Sequence, residues 1–112
     1  MKNAILLATA NGMGKGPEEL QLRLARKYFE LLVLQEPLPA AVCFYSDGVK
    51  LVVEGSPILE QLHALEAKSV RLIICSTCLD YYQLTEKVRA GIIGGMGDIL
   101  EAQVRAEKVI SL

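Results

Sequence analysis

The sequence predicts a small three-layer α/β/α domain, with helices on both faces of a mainly parallel sheet. Three observations carry that prediction. Short, unbroken apolar runs such as Ala4–Ala8 and residues 70–74 suit strands buried on both faces. These runs alternate with longer stretches of helical periodicity, and such alternation implies crossover connections between parallel strands. The chain has 112 residues, the length of one domain, and 52% of them are hydrophobic.

Ala4–Ala8 is the first strand. It runs into Asn11-Gly12-Met13-Gly14-Lys15-Gly16, after which Pro17-Glu18-Glu19 opens a helix reaching about residue 34. A proline at the first helical position leaves no N–H unsatisfied, and two glutamates suit the positive end of the helix dipole. Leu20, Leu24, Tyr28, Leu31 and Leu32 form the apolar stripe expected to face the sheet, and Pro37 and Pro39 bracket the helix end. Residues 41–45 are the second strand, closed by Ser46-Asp47-Gly48. Residues 49–53 suit a strand by pattern and a helical turn by context. Ser56 is expected to cap a helix with Pro57 at its first position, ending near residue 67. Residues 70–74 form the third strand. Cys75-Ser76-Thr77-Cys78 then leads into residues 79–89, expected to be helical at least in part. Residues 91–95 suggest a short strand, 96–107 a helix with Ile99, Leu100 and Val104 inward, and 109–110 a last strand.

Composition excludes several classes of function. The chain is too rich in aliphatic residues to be disordered, and no stretch reaches the ~18 uninterrupted apolar residues of a membrane span. A net charge of −1 leaves no electrostatic footprint for nucleic acid or anionic lipid. The apolar content exceeds what so short a chain can hide, so a homo-oligomer is expected. Lys2 and the apolar run after it faintly mimic a signal peptide, but the run is too short and cleavage would remove the first strand. Three cysteines, an odd number, do not suggest a secreted disulfide framework, and the expected compartment is the cytoplasm.

Open α/β sheets bind ligands beyond the carboxyl ends of their strands. Three segments are expected there. In the first, Gly12, Gly14 and Lys15 are candidate anion ligands, through backbone N–H groups and one positive charge. The segment lacks the Gly-Lys-Ser/Thr ending of a P-loop and the spacing of a dinucleotide fingerprint, and a plain flexible turn is the alternative. In the second, Asp47 and Gly48 are candidate ligand residues. A second glycine cluster, Gly94-Gly95-Met96-Gly97, reads as a flexible approach to the last helix with Asp98 near its start. His63 has no companion ligands at metal-binding spacing, Cys43 reads as core packing, and Tyr81 and Tyr82 as packing at a sheet edge or interface, with a substrate-facing role as the alternative. No metal and no cofactor is expected.

The third segment holds Cys75 and Cys78. A Cys-x-x-Cys pair where a strand enters a helix places its first thiol near the positive helix end, where the thiolate is stabilised. Zinc would need a second pair of ligands, absent from this chain. A thioredoxin-type dithiol fits the local spacing, yet the pair lies late in the chain and lacks the flanking Trp and Pro. Two inert thiols at a helix start remain the bland reading. Cys75, ending the strand, is expected to emerge into the strand-end cleft, with Cys78 about one turn further on.

Taken whole, the chain resembles the DsrE/TusD-like family of small sulfur-relay proteins. Within it, the similarity is nearest to the DsrE-like C-terminal domain of YedF-type, sulfurtransferase-like selenium metabolism proteins. Three blocks carry the resemblance: Phe44-Tyr45-Ser46-Asp47-Gly48-Val49-Lys50-Leu51, then Cys75-Ser76-Thr77-Cys78-Leu79-Asp80-Tyr81-Tyr82, and finally Met96-Gly97-Asp98-Ile99-Leu100-Glu101-Ala102 with Lys108-Val109-Ile110. The resemblance implies a single DsrE-like domain over 1–112, a five-stranded sheet, and a dimer, trimer or hexamer. It implies a persulfide carried on a cysteine after the third main strand, the position of Cys75. Cys78 matches the second cysteine of the YedF-like pattern only. Its place one turn past Cys75 makes it an expected resolving thiol, releasing sulfide as a Cys75–Cys78 disulfide forms, and inward packing is the alternative. Ser76 stands where those proteins usually have Gly. They also carry a TusA-like domain ahead of this one. Here a TusA-like protein or a small molecule is the expected sulfur partner. Beside a sulfur carrier or sulfurtransferase stand two alternatives: an oligomeric binding or regulatory module with an anion pocket, and a Cys75–Cys78 dithiol–disulfide oxidoreductase.

Overall fold

Five parallel strands form one sheet in the computed structural model, which describes residues 1–112. The elements run β1 (Ala4–Ala8), α1 (Glu18–Leu32), β2 (Ala41–Phe44), α2 (Leu59–Ala67), β3 (Arg71–Cys75), α3 (Ser76–Tyr81), β4 (Ile92–Gly94), α4 (Met96–Arg105) and β5 (Lys108–Ser111). Two 3₁₀ segments, Ser46–Val52 and Thr85–Lys87, complete the connections. The sheet order is β4-β3-β2-β1-β5, and all four pairings are parallel. The mainly parallel α/β architecture expected from the sequence is the one observed.

Topology explains how the layers divide. From β1 to β4 the chain steps across the sheet in one direction, and crossovers of one hand place their helices on one face. α1, α2, α3 and the Ser46–Val52 segment therefore share a face. Its core holds 18 buried residues, among them Leu6, Phe29, Phe44, Leu62 and Leu79. The step from β4 to β5 returns to the far edge, so α4 lies on the other face. There a smaller core of eight residues joins Ile99 and Ala102 of α4 to Ile5, Leu7, Ala41, Cys43, Ile73 and Cys75 of the strands. Strand residues alternate between these two cores because successive side chains point to opposite sheet faces.

Several sequence expectations need correction. Leu20, Leu24 and Leu31 do not face the sheet: α1 buries Ala25, Phe29 and Leu32, and Leu31 is 65% exposed. The helix has two apolar stripes, and Phe29 is the bulkier anchor on the buried one. In α4, Ile99 is inward as expected, but Leu100 and Val104 are outward, because Ile99 and Ala102 lie on the sheet-facing side three residues apart. Pro17 is the residue before α1 rather than its first helical one. Ser56 and Pro57 precede α2, which starts at Leu59; the Ser56 hydroxyl accepts the Ile58 N–H at 3.3 Å within a turn. Residues 49–53 fall mostly in the 3₁₀ segment. Helix α3 starts earlier than expected, at Ser76. It stops where Gln83 takes a positive φ of 57° and the Leu84 N–H turns back to the Leu79 carbonyl.

Candidate functional site

The carboxyl ends of β2 and β3 lie side by side, with Phe44 registered against Ile74. The chain leaves β2 through Tyr45 into Ser46, which has a left-handed φ of 54°, uncommon outside glycine. Two residues on, Gly48 packs onto the end of β1. A Cβ at this position would lie 1.8 Å from the Ala8 carbonyl oxygen, so only glycine fits. In this turn the Ser46 N–H donates to the Cys78 Sγ at 3.1 Å.

The two cysteines differ in setting. Cys75 is the last residue of β3 and is only 1% exposed, within the core under α4. The expectation that it emerges into an open cleft is therefore corrected. It shares strand parity with Ile73, and that parity turns its side chain toward Ile99 rather than toward solvent. Cys78, in α3, is half-buried and packs against both cores. Its thiol pKa is raised chiefly by burial; the Ser46 N–H offsets part of the rise, and the neighbouring Cys75 adds to it. Both thiols are free. Cys43 is likewise buried in the α4-side core, as packing predicts, and burial pushes its thiol up to about 11 against a partial offset from Arg71.

A polar cluster borders the Cys78 thiol. The Tyr82 hydroxyl donates to Asp47 Oδ1, and Lys50 Nζ lies 3.3 Å from the same oxygen and 4.6 Å above the Tyr82 ring. Asp47 is held below the usual carboxylate range, first by the Tyr82 hydrogen bond and then by Lys50, against an opposing desolvation. The Tyr82 phenol is correspondingly raised. Cys78 and Tyr82 stand one helical turn apart, so the cluster ties the Ser46–Val52 segment to α3 and holds the Ser46 N–H against Cys78. The sequence offers Tyr82 as edge packing or a substrate-facing residue, and singles out neither Ser46 nor Lys50 as a site residue. The spacings 47/50 and 78/82 were visible, but their meeting across 35 residues was not. Tyr81, edge-on to Tyr82 at 5.2 Å, is 81% exposed.

The other candidate ligands sit differently. Gly12 has a φ of 134° and lies against the backbone of Gln21. Its N–H donates to the Ala10 carbonyl at 2.8 Å, the Met13 N–H to the Gln21 carbonyl at 3.0 Å, and the Gln21 amide to the Gly14 carbonyl at 2.8 Å. The loop is thus bound to its own helix, with Gly14 and Lys15 on the outside. Asp47 reaches the cysteine site, whereas Gly48 is buried and serves backbone packing. Near α4, Asp98 accepts the Gly95 N–H at 2.8 Å, as its place at the helix start implies. His63 Nε2 lies 2.8 Å from the Arg89 carbonyl. No three His, Cys, Asp or Glu side chains converge to hold a metal ion, and no helix is long and apolar enough to cross a membrane. Neither Cys75 nor Cys78 lines any of five cavities of about 140 to 370 Å³.

Comparison with known proteins gives a consistent fold. The profile of the DsrE/DsrF-like family matches residues 1–112. Among solved structures, the chain is similar to the ychN protein of E. coli, at 21% identity over 100% of both chains with a TM-score of 0.74. A protein of unknown function from Methanobacterium thermoautotrophicum, MTH1491, shares 18% identity over 97% of this chain and 98% of its own, with a TM-score of 0.65. The conserved protein BT1422 of Bacteroides thetaiotaomicron, also of unknown function, shares 13% identity over 99% and 94% of the two chains, with a TM-score of 0.67. No curated protein matches.

Proposed function

Because this chain belongs to the DsrE/DsrF-like family, which is associated with sulfur relay, we propose that it is a sulfur carrier holding sulfane sulfur as a persulfide on Cys75, with Cys78 as its working partner. The observation that carries this reading is the pairing of two free thiols at the carboxyl end of β3, one of them receiving a backbone N–H from a strained turn. A thiolate is the nucleophile in sulfur transfer, and a directed N–H stabilises negative charge on sulfur. The dry core around Cys75 suits a persulfide, which over-oxidises when exposed. Incubating the reduced protein with inorganic polysulfide and measuring its intact mass tests the reading. A gain of about 32 Da, one sulfur, is expected. A loss of about 2 Da, a disulfide, would favour a dithiol oxidoreductase instead, and an unchanged mass would favour a binding module.

The same proposal extends to assembly and cargo. Leu20, Leu24 and Leu31 on α1, with Met96, Leu100 and Val104 on α4, leave apolar stripes exposed on both faces of the sheet. They support a homo-oligomer, and light scattering that gives a monomer at micromolar concentrations would overturn it. The Cys75-Ser76-Thr77-Cys78-Leu79-Asp80 segment supports the narrower kinship with YedF-type domains, with selenium as a second chalcogen for the same thiols and a TusA-like protein as donor. The cytoplasm is the compartment this chemistry suits, since it keeps both thiols reduced.

A further inference from the structure

Two thiols of unequal access raise the question of which one meets the donor. Cys75 is 1% exposed and sits behind Cys78, which is half-buried and reaches the surface beside Ser46 and Tyr82. An in-line attack on a donor persulfide needs room on both sides of the reacting sulfur, which Cys75 lacks. We infer that Cys78 is the receiving thiol and that Cys75 is loaded from it within the chain, an inference that rests on the carrier reading above.

The two steps balance without any oxidant. In the first, the Cys78 thiol gives up its proton and its thiolate attacks the outer sulfur of a donor persulfide, R–S–SH. The donor S–S bond breaks, the leaving thiolate takes up a proton to become R–SH, and Cys78 becomes a persulfide. In the second, the Cys75 thiolate attacks the outer sulfur of that persulfide. The Cys78 S–S bond breaks, Cys78 leaves as a thiolate and takes up the proton Cys75 lost, and Cys75 holds the persulfide. The transferred sulfur keeps its oxidation state throughout.

The Ser46 N–H acts at the same atom in both steps. It faces Cys78 Sγ at 3.1 Å, where charge sits on the nucleophile in the first step and on the leaving group in the second. Stabilising a leaving thiolate speeds its departure. The N–H thus offsets part of the burial that would otherwise hold sulfur on Cys78. Tyr82, Asp47 and Lys50 are positioning residues for this contact, since they tie the Ser46–Val52 segment to the helix that carries Cys78. Cys78 is thus a relay point, rather than the thiol that releases sulfide by forming a Cys75–Cys78 disulfide.

Rapid-quench loading with glutathione persulfide, read by peptide-mapped mass spectrometry, tests the order. In the wild-type chain the added sulfur is expected first on Cys78 and later on Cys75. In Cys78→Ser, and in Cys78→Ala as a second variant, loading of Cys75 is expected to slow by about tenfold or more, as loss of the accessible thiol demands. In Cys75→Ala, Cys78 should load at the wild-type rate and retain its sulfur. If both Cys78 variants load Cys75 at the wild-type rate, the relay order is overturned while the carrier reading stands. If the wild-type chain takes up no sulfur on either residue, the carrier reading fails, and this inference with it.

Discussion

The glycine-rich loop after β1 and the Ser46–Val52 segment after β2 occupy equivalent places at the sheet's carboxyl edge, yet they use their backbones in opposite ways. In the first, glycine supplies conformational freedom, and the freed N–H groups of Gly12 and Met13 are spent on Ala10 and Gln21. In the second, a non-glycine residue at positive φ points its N–H at a sulfur atom. Glycine content marks where a chain bends sharply. Chemistry is found where a backbone donor is left over for something other than the chain's own carbonyls. By that measure the second segment supports the proposed site, while the first is fastened to its own helix.

Substitution of the two glycine types should separate the regions most sharply. Gly48→Ala drives a methyl group into the Ala8 carbonyl, and overpacking against fixed backbone costs about 3 kcal/mol. At ~4 °C per kcal/mol, thermal denaturation should fall by roughly 12 °C. Gly14→Ala, in open space at a φ of 75°, should cost only about 1 kcal/mol. Equal shifts for both would remove the distinction. Tyr82→Phe gives a smaller effect on a different readout. It removes the hydroxyl that holds Asp47, loosens the Ser46 contact and so raises the Cys78 pKa further, because a hydrogen bond to the charged form is what lowers it. Cys78 already titrates above the ordinary thiol range, so its alkylation should be slow at pH 7 and quicken as the pH climbs past that range. In the variant the whole profile should move to higher pH, with alkylation about threefold slower at a given mildly alkaline pH. An unmoved profile would separate the polar cluster from the thiol. Least of all should come from Lys15→Ala, on the exposed side of the first loop. Sulfur loading should be unchanged, and a loss of loading there would return the glycine loop to the functional site.

Much of the architecture was legible in the sequence because it rests on local signals. The unbroken apolar run of Ala4–Ala8, the proline before α1 with the glutamates in its first turn, and the alternation of elements all follow from short-range chemistry. What escaped depends on which of two similar faces wins. Leu20-Leu24-Leu31 and Ala25-Phe29-Leu32 are both apolar stripes of one helix, and only the packed sheet decides that Phe29 goes inward. The cysteine pair was legible as a motif at a strand end, but the unequal burial of its two thiols was not. Cys75 follows the period-two alternation of β3 into the core, and that signal was present in its spacing from Ile73. The Tyr82–Asp47–Lys50 cluster had no local signature, since its parts meet only once β2 and β3 lie side by side.

The central claim is that sulfur is carried by this cysteine pair, and sulfur released by cyanide tests it most directly. After loading with polysulfide and removal of excess reagent, the wild-type chain should yield thiocyanate at about one equivalent per chain, since a persulfide holds one transferable sulfur. Cys75→Ala combined with Cys78→Ala should yield close to none, even though Cys43 remains, because that thiol is buried and its pKa is pushed up to about 11. An undiminished thiocyanate yield from a folded double variant would contradict the account.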